Sequence, residues 1–543
     1  MQPSLIRAHS LANARRRRAV QIALLAAATF LVVAVNPSWA TYLPADWEDC
    51  RSDDFDRVIA GCTRMLESQI TQIDRAVALT NRSNAYRLHG DYDRAISDAN
   101  DAIGIYPDYV LAYANRANAY FGKGNIDSAM NDANATIHGA PTYPGGYSAR
   151  ADVYRAKGDF DLAVIDDTTA IALAPKYLGL WRWGPLATVY ADRARALEGK
   201  GDRDRALADY NEAIRLDPGY ARAYVLRANI YSAKGDRDHA IADFSEAIRI
   251  NPKFGYAYNA RGNSYFAKGD YDRALADYHD AIRIEPGMVD AMRNRGLVYA
   301  KKGDRAAAIT AFGEAIAVNP NFVPAFESRA ESYVQTGDFD HAIADYDAAI
   351  KLKPDIAGYW IHRGATYVSA GNFARGIADY DQALSLDPKD PAVYFSRGIA
   401  NLYGVNAAKA VADFDQALAL NPKDSYTALW RDIAAQRDHQ PSRIADALGA
   451  ADMKAWPAPL LRLYAAGKLT PEAATAATDD ANLSEIARRG RLCEINFYSA
   501  ELALQKGAKD IALPLLKKAA ADCPRDFVEY NGAKAELKLN GAE

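Results

Sequence analysis

The stretch Phe266–Pro286, FAKGDYDRALADYHDAIRIEP, carries five carboxylates and the imidazole of His279 within 21 residues. Carboxylates and an imidazole at helical spacing are the raw material of metal sites and of general acid/base pairs. Such a role requires the stretch to be singular within its chain, and it is one copy of many. Elsewhere the eight histidines are scattered. Cys50, Cys62, Cys493 and Cys523 have no CxxC or zinc-ligand spacing, and no GxSxG, HExxH, P-loop or dinucleotide glycine pattern occurs. No catalytic residue, metal ligand or cofactor is therefore assigned, and an enzyme is not expected.

The elements that hold these residues repeat every 34 positions. Gly90, Gly124 and Gly158 keep that step, and after one interruption Gly201, Gly235, Gly269, Gly303, Gly337 and Gly371 resume it. Prolines follow the same step from Pro218 to Pro422. Small residues recur at repeat positions 8 (Ala117, Gly296, Gly398) and 20 (Ala95, Ala206, Ala342), where two antiparallel helices must approach closely. Aromatic residues at positions 11 (Tyr86, Tyr231) and 24 (Tyr210, Phe244, Phe414) fill the space between them. The position-15 glycine ends the first helix in a left-handed cap, and the Asp or Asn after it can cap the second helix.

This pattern resembles the tetratricopeptide repeat (TPR), and the resemblance covers residues 76–424 as ten units. It implies an all-α fold: a right-handed superhelical solenoid of antiparallel helix pairs with helical caps, its concave face lined by first helices. Around this array, residues 1–40 read as a signal peptide or signal anchor, 41–75 as an N-terminal cap and 425–492 as a helical connector. Residues 493–543 read as a C-terminal TPR-like cap in which Cys493 begins the first helix and Cys523 ends the second. An insertion near 177–186 contains Trp181 and Trp183, which either pack over a lengthened helix or anchor a partner.

Position 7 is arginine in all ten units, and position 23 is aspartate in nine, Ala311 being the exception. A cationic track would not need a matching acid on the facing helix. An internal ion pair would, so Arg261 with Asp277 is expected to be one rung of a structural ladder. Within the opening stretch Asp270 then caps, Asp272 and Asp280 face solvent, and His279 shares no chemistry with its equivalents Asn211, Ser245 and Asp347.

Arg7 and Arg15–Arg18, the apolar run Ala19–Val35 and the small residues Ser38 and Ala40 form a secretory signal, either cut after Ala40 or kept as an anchor. Export puts the cysteines in an oxidising compartment, where two disulfides are expected; of the three possible connectivities the favoured one is Cys50 with Cys62 and Cys493 with Cys523, each pair local to one end. Residues 41–543 hold 60 basic and 69 acidic side chains, a net charge of about −9, which argues against nucleic acid as a partner. The expected location is the periplasm or the exterior, or the inner membrane facing the periplasm if the N-terminal segment is retained. A membrane is then met through that segment alone.

Lys454-Ala455-Trp456-Pro457, Leu463–Gly467, Glu494-Ile495-Asn496-Phe497-Tyr498 and Asp526–Tyr530 through Glu536-Leu537 are similar to the C-terminal part of the bacterial envelope TPR lipoprotein NlpI. That resemblance implies a scaffold for peptidoglycan hydrolases or a periplasmic protease, and homodimerisation. The chain departs from the pattern in having no lipobox cysteine and a much longer array. The partner-binding candidates are groove positions 2, 5, 9 and 12 of the first helices: Asn84, Asn118, Arg222, Asn229, Tyr256, Asn259, Asn263, Arg293 and Glu331. Asparagine can hydrogen-bond the backbone of an extended peptide in either direction. The expected function is a non-catalytic protein-interaction scaffold or adaptor of the cell envelope. The alternative is a secreted or structural repeat protein that binds glycan or lipid.

Overall fold

The computed structural model describes residues 44–177, 186–404, 406–450, 456–477, 484–524 and 527–542. Among them every regular element is helical, with a single 3-10 segment at Ala174–Tyr177 and no strand. The chain divides into two compact units, residues 1–270 and 271–543, and the boundary passes between the two helices of the sixth repeat.

In the first unit, helix pairs run from Gln72–Leu88 with Tyr92–Ile105 to Ala221–Ala233 with Arg237–Ile250, followed by Gly255–Ala267. The second unit begins with Tyr271–Ile284 and continues in pairs from Val289–Lys301 with Arg305–Val318 to Pro391–Tyr403 with Ala407–Leu420. Nine position-15 glycines, Gly90 to Gly371, have φ between 78° and 83°. A side chain would be strained in that left-handed region, so glycine is what permits the tight reversal. Asp91, Asn125, Asp202, Asp236, Asp304, Asp338 and Asn372 each cap the following helix by accepting from the N–H three residues on. Asp159 stands in the same place without that bond.

The small positions meet rings directly. A Cβ added at Gly296 would lie 2.5 Å from Phe312, and one at Gly398 2.7 Å from Phe414. Position 20 is buried throughout, as at Ala95, Ala163, Ala206, Ala308 and Ala410. From the fourth repeat onward position 24 is a buried ring such as Tyr210, Phe244, Phe312 or Tyr380. The first three repeats have Ala99, Ala133 and Asp167 there instead.

At the N-terminus, Pro44–Asp49 packs on Phe55–Glu67, whose Asp54 cap accepts from the Arg57 N–H. Cys50 and Cys62 are joined in a disulfide with a Cα–Cα distance of 4.6 Å. At the C-terminus two expectations are corrected. The repeat register does not lapse after Pro422: Ser425–Arg437 packs on Ala407–Leu420 as the first helix of a further repeat. Its position 15 is His439 at φ 56°, a left-handed cap held without glycine. Cys493 does not begin a helix either. Ser484 caps a 21-residue helix, Glu485–Gln505, and places Cys493 well inside it, disulfide-bonded to Cys523 with a Cα–Cα distance of 4.8 Å.

Candidate binding surface and its supports

The ladder residues are tied to one another. In the first unit Arg82, Arg116, Arg150, Arg193 and Arg227 each donate through Nε and Nη2 to both oxygens of Asp98, Asp132, Asp166, Asp209 and Asp243, at 2.6–2.9 Å. Arg329 and Arg363 do the same to Asp345 and Asp379 in the second unit, and Arg397 holds Asp413 with Nε shared between both oxygens at 3.1–3.2 Å and Nη2 on Oδ1 at 2.6 Å. These aspartates are buried, and the two-pronged contact is the geometry in which a guanidinium holds a carboxylate best. Arg261 donates to Ser245, and Asp277 is buried; they fall in different units of the chain. At the Ala311 step, Arg295 turns to Glu314, and its Nε is buried without an acceptor.

The second role of this ladder was not read from the sequence. The remaining Nη1 reaches back 16 residues to position 25 of the preceding repeat. Arg116 bonds Asn100, Arg227 bonds Asn211, Arg261 bonds Ser245, Arg363 bonds Asp347 and Arg397 bonds Asp381. Arg431 also reaches back 16 residues, to Asp415, but through Nε, its Nη1 donating to Pro441 O, and so carries the register one step further than expected. At these steps position 25 therefore accepts from the next arginine, whereas Arg295, the arginine that follows His279, turns to Glu314. Partial burial and the neighbouring Arg295 push the His279 pKa down. Asp272 faces solvent as expected and pairs there with Lys302 at 2.7 Å, and the part-exposed Asp280 pairs with Arg283 at 2.8 Å. Asp272 belongs to another ladder, in which the lysine at position 14 reaches back 30 residues: Lys123 to Asp93, Lys234 to Asp204 and Lys268 to Asp238. An aromatic at position 4 completes the arginine's surroundings, as where Arg193 lies over Tyr190 and Arg363 over Trp360.

The groove candidates divide by burial. Asn118 and Asn229 are half-buried, whereas Arg222, Asn263 and Glu331 are exposed. Tyr256 is exposed and donates its hydroxyl to Asn229 Oδ1 at 3.4 Å, which links consecutive first helices. Asn84 and Asn259 are buried. Arg293 is not free to face a ligand: its Nε lies on Pro324 O and Ser328 Oγ of the next first helix. Trp181 and Trp183 lie outside the described residues.

Two charged clusters were missed. In the first unit, Arg155 Nη1 donates to Asp167 Oδ2 at 2.8 Å, while Nη2 bonds Asp152 and stands 3.5 Å from Asp192, which Arg195 also approaches. Asp167 occupies the position of the later buried ring, so an ion pair replaces an aromatic plug in the third repeat. Its Oδ1 is buried without a partner, and burial pushes its carboxyl well above the usual range. Its signal was the acid at position 24, with an arginine 12 residues before it.

The second cluster fills the C-terminal bundle around Trp430. Glu494 accepts from the Trp456 indole at 2.6 Å and from the Tyr426 hydroxyl, and Tyr498 donates to Glu529 at 2.8 Å. Arg437 bonds Glu536 and lies 3.5 Å from Glu501. Burial, reinforced by neighbouring Glu529, pushes Glu494 up to about 7. Burial beside Glu536 raises Glu501 as well. Among the described residues no group of three or more potential ligands could hold a metal ion, and no helix is long and apolar enough to cross a membrane.

Helix pairs locked by a two-pronged ladder, with polar side chains left along their first helices, define a helical-repeat scaffold. Profiles of the tetratricopeptide repeat match residues 80–146, 187–220, 221–254, 259–324, 293–356, 327–367 and 363–425, more than half of the chain. The chain belongs to the tetratricopeptide repeat family, whose arrays are protein–protein interaction scaffolds. Among curated proteins none matches. Solved structures similar to it include YrrB, described as a TPR protein with an unusual peptide-binding site: 23% identity, 34% of this chain, 95% of that one, TM-score 0.30. A TPR protein from Parabacteroides merdae ATCC 43184 is 20% identical over 46% of this chain and 98% of its own, with a TM-score of 0.35. The APC/C hetero-tetramer Cut9–Hcn1 is 14% identical over 90% of this chain and 94% of the matched one, with a TM-score of 0.37.

Proposed function

We propose that the protein is a non-catalytic scaffold exported to a bacterial envelope, where it holds an extended segment of a partner protein against its first helices. One observation carries the binding face. The ladder arginines and aspartates are consumed by internal bonds, while the amides of Asn118 and Asn229 stay half-exposed at the same register of the second and fifth repeats. An amide both donates and accepts, which suits peptide backbone running in either direction. A photo-crosslinker placed at Asn118 or Tyr256, set against one at Asp340 on a second helix, tests this in envelope extract. The expected product is a discrete partner adduct from the first-helix sites alone; adducts from Asp340 alone would defeat the proposal.

Export is supported by the basic and apolar segment before residue 41 and by a disulfide at each end of the chain. Fractionation with N-terminal sequencing checks it, with Thr41 as the expected first residue of a cleaved form and the inner membrane as the location of an anchored form. The reading extends to envelope partners of the kind that NlpI-type scaffolds serve, cell-wall hydrolases or a protease, and to a homodimer. Light scattering of the purified chain reports the oligomeric state, and a monomer at micromolar concentration would remove the dimer from the proposal.

A further inference from the structure

The chain is acidic overall, with a formal net charge of −4, yet its last three helices turn a positive surface outward. Glu494, Glu501, Glu529 and Glu536 are buried inside the C-terminal bundle. The bases of the same helices stay outside: Lys517, Lys518, Lys534 and Lys538 are exposed, against the exposed acids Glu485, Asp510 and Asp522. None of these lysines is in an ion pair among the described residues, whereas Lys123, Lys234, Lys268 and Lys302 of the array each hold an aspartate.

The start of Glu485–Gln505 projects furthest from this bundle. Cys493 is tied to Cys523, just past the end of Lys509–Asp522, so Glu485–Leu492 runs on beyond that partner helix for about two turns. Gly490 sets its inner side against Phe527, where an added Cβ would lie 3.0 Å from the ring. The rest of the segment is open: Arg488 and Arg489 are exposed, Ile486 is 80% exposed and Leu492 40%. Helical spacing puts Leu492 beside Arg488 and Ile486 beside Arg489. Neither guanidinium has a hydrogen bond or an ion pair among the described residues, while the adjacent Arg491 is occupied over the Trp456 ring, 4.9 Å from its centroid.

From this face we infer that the C-terminal bundle rests on a bilayer surface containing anionic phospholipid: Arg488 and Arg489 meet headgroup phosphates, and Ile486 and Leu492 enter the layer beneath them. Cations flanked by exposed aliphatic side chains suit that boundary, because the guanidinium stays at headgroup level while its neighbour leaves water. A projecting helix end enters a soft surface more readily than it cradles a peptide. The exposed lysines around it strengthen the attraction, which salt screens. The contact lies outside the proposed peptide groove and does not depend on it.

The full chain with dansylalanine placed at Ile486, or at Asp340 on an array helix, provides the test. It is mixed with vesicles of brominated phosphatidylcholine, either alone or with about one third brominated phosphatidylglycerol. Emission from position 486 is expected to shift to the blue and be quenched on the phosphatidylglycerol vesicles only, and emission from position 340 to change on neither. The reading is local, so attachment through residues 1–40 does not produce it. Arg488→Gln with Arg489→Gln should cut the quenching several-fold. Arg488→Lys with Arg489→Lys should keep it, since a headgroup phosphate at a surface needs a charge rather than a two-pronged fork. No quenching on phosphatidylglycerol vesicles, equal quenching on both kinds, or no loss in the glutamine variant would overturn the inference. A shift with soluble polyglutamate and none with phosphatidylglycerol would also overturn it and assign the face to an acidic protein.

Discussion

At Ala311 the ladder lacks its acid, and the cost is visible one helix away, where Arg295 Nε is buried without an acceptor. Ala311→Asp should return the two-pronged contact and raise stability by about 1 kcal/mol, read from thermal or urea melts. A loss would mean that this site cannot accommodate the second-helix carboxylate. The converse change, Arg116→Met, strands the buried Asp132 and removes the donor to Asn100, and a loss of about 2–4 kcal/mol is expected by the same measurement. The pairing of positions 7 and 23 was legible because both residue types are nearly constant. The reach to position 25 was not, because Asn100, Asn211, Ser245 and Asp347 share only the capacity to accept. Burial of Asn84 and the turned Arg293 were also beyond the sequence, since helical spacing gives a face and not the path of a long side chain.

Helices repeat the lesson with glycine. Wherever glycine marks the left-handed cap, the repeat could be read from its period alone; where His439 holds that conformation, the extra first helix Ser425–Arg437 was hidden. His439→Gly should relieve the strained backbone and stabilise the C-terminal bundle by about 1 kcal/mol, seen as slower amide exchange in Ser425–Arg437. At the opposite extreme, Gly296→Val would drive a side chain into Phe312, with an expected loss of about 2–3 kcal/mol. The same C-terminal bundle has a calculable response to pH. Glu494 and Glu501 are raised in the folded state, so the protonated carboxyls favour folding. Their contribution is complete below about pH 4.5, the unfolded carboxyl range, and is lost as pH rises through about 7 for Glu494 and beyond for Glu501. Exchange in Glu485–Gln505 should therefore be slower at pH 6 than at pH 9 after correction for intrinsic rates, and Glu501→Gln should flatten the difference.

For the whole molecule, the repeat pattern accounts for the carboxylates and the imidazole of Phe266–Pro286. Chemistry-bearing residues such as Asp277 and His279 are copies of positions that hold helices together or lie against an arginine. The cysteines add the terminal boundaries: one disulfide fixes the cap that precedes the array, and the other ties Glu485–Gln505 to the end of Lys509–Asp522. Reduction should loosen these ends by about 3 kcal/mol each while the central repeats keep their exchange protection, because each repeat is stabilised chiefly by its neighbours. The central claim is that the first helices of this array bind a partner polypeptide. Its most direct test is a crosslinking scan in native envelope extract, with photo-reactive residues at Asn118, Asn229 and Tyr256 on first helices and at Asp238 and Asp340 on second helices. One partner adducted from the first-helix sites and not from the second-helix sites is the expected result; a partner adducted only from the second helices would contradict it.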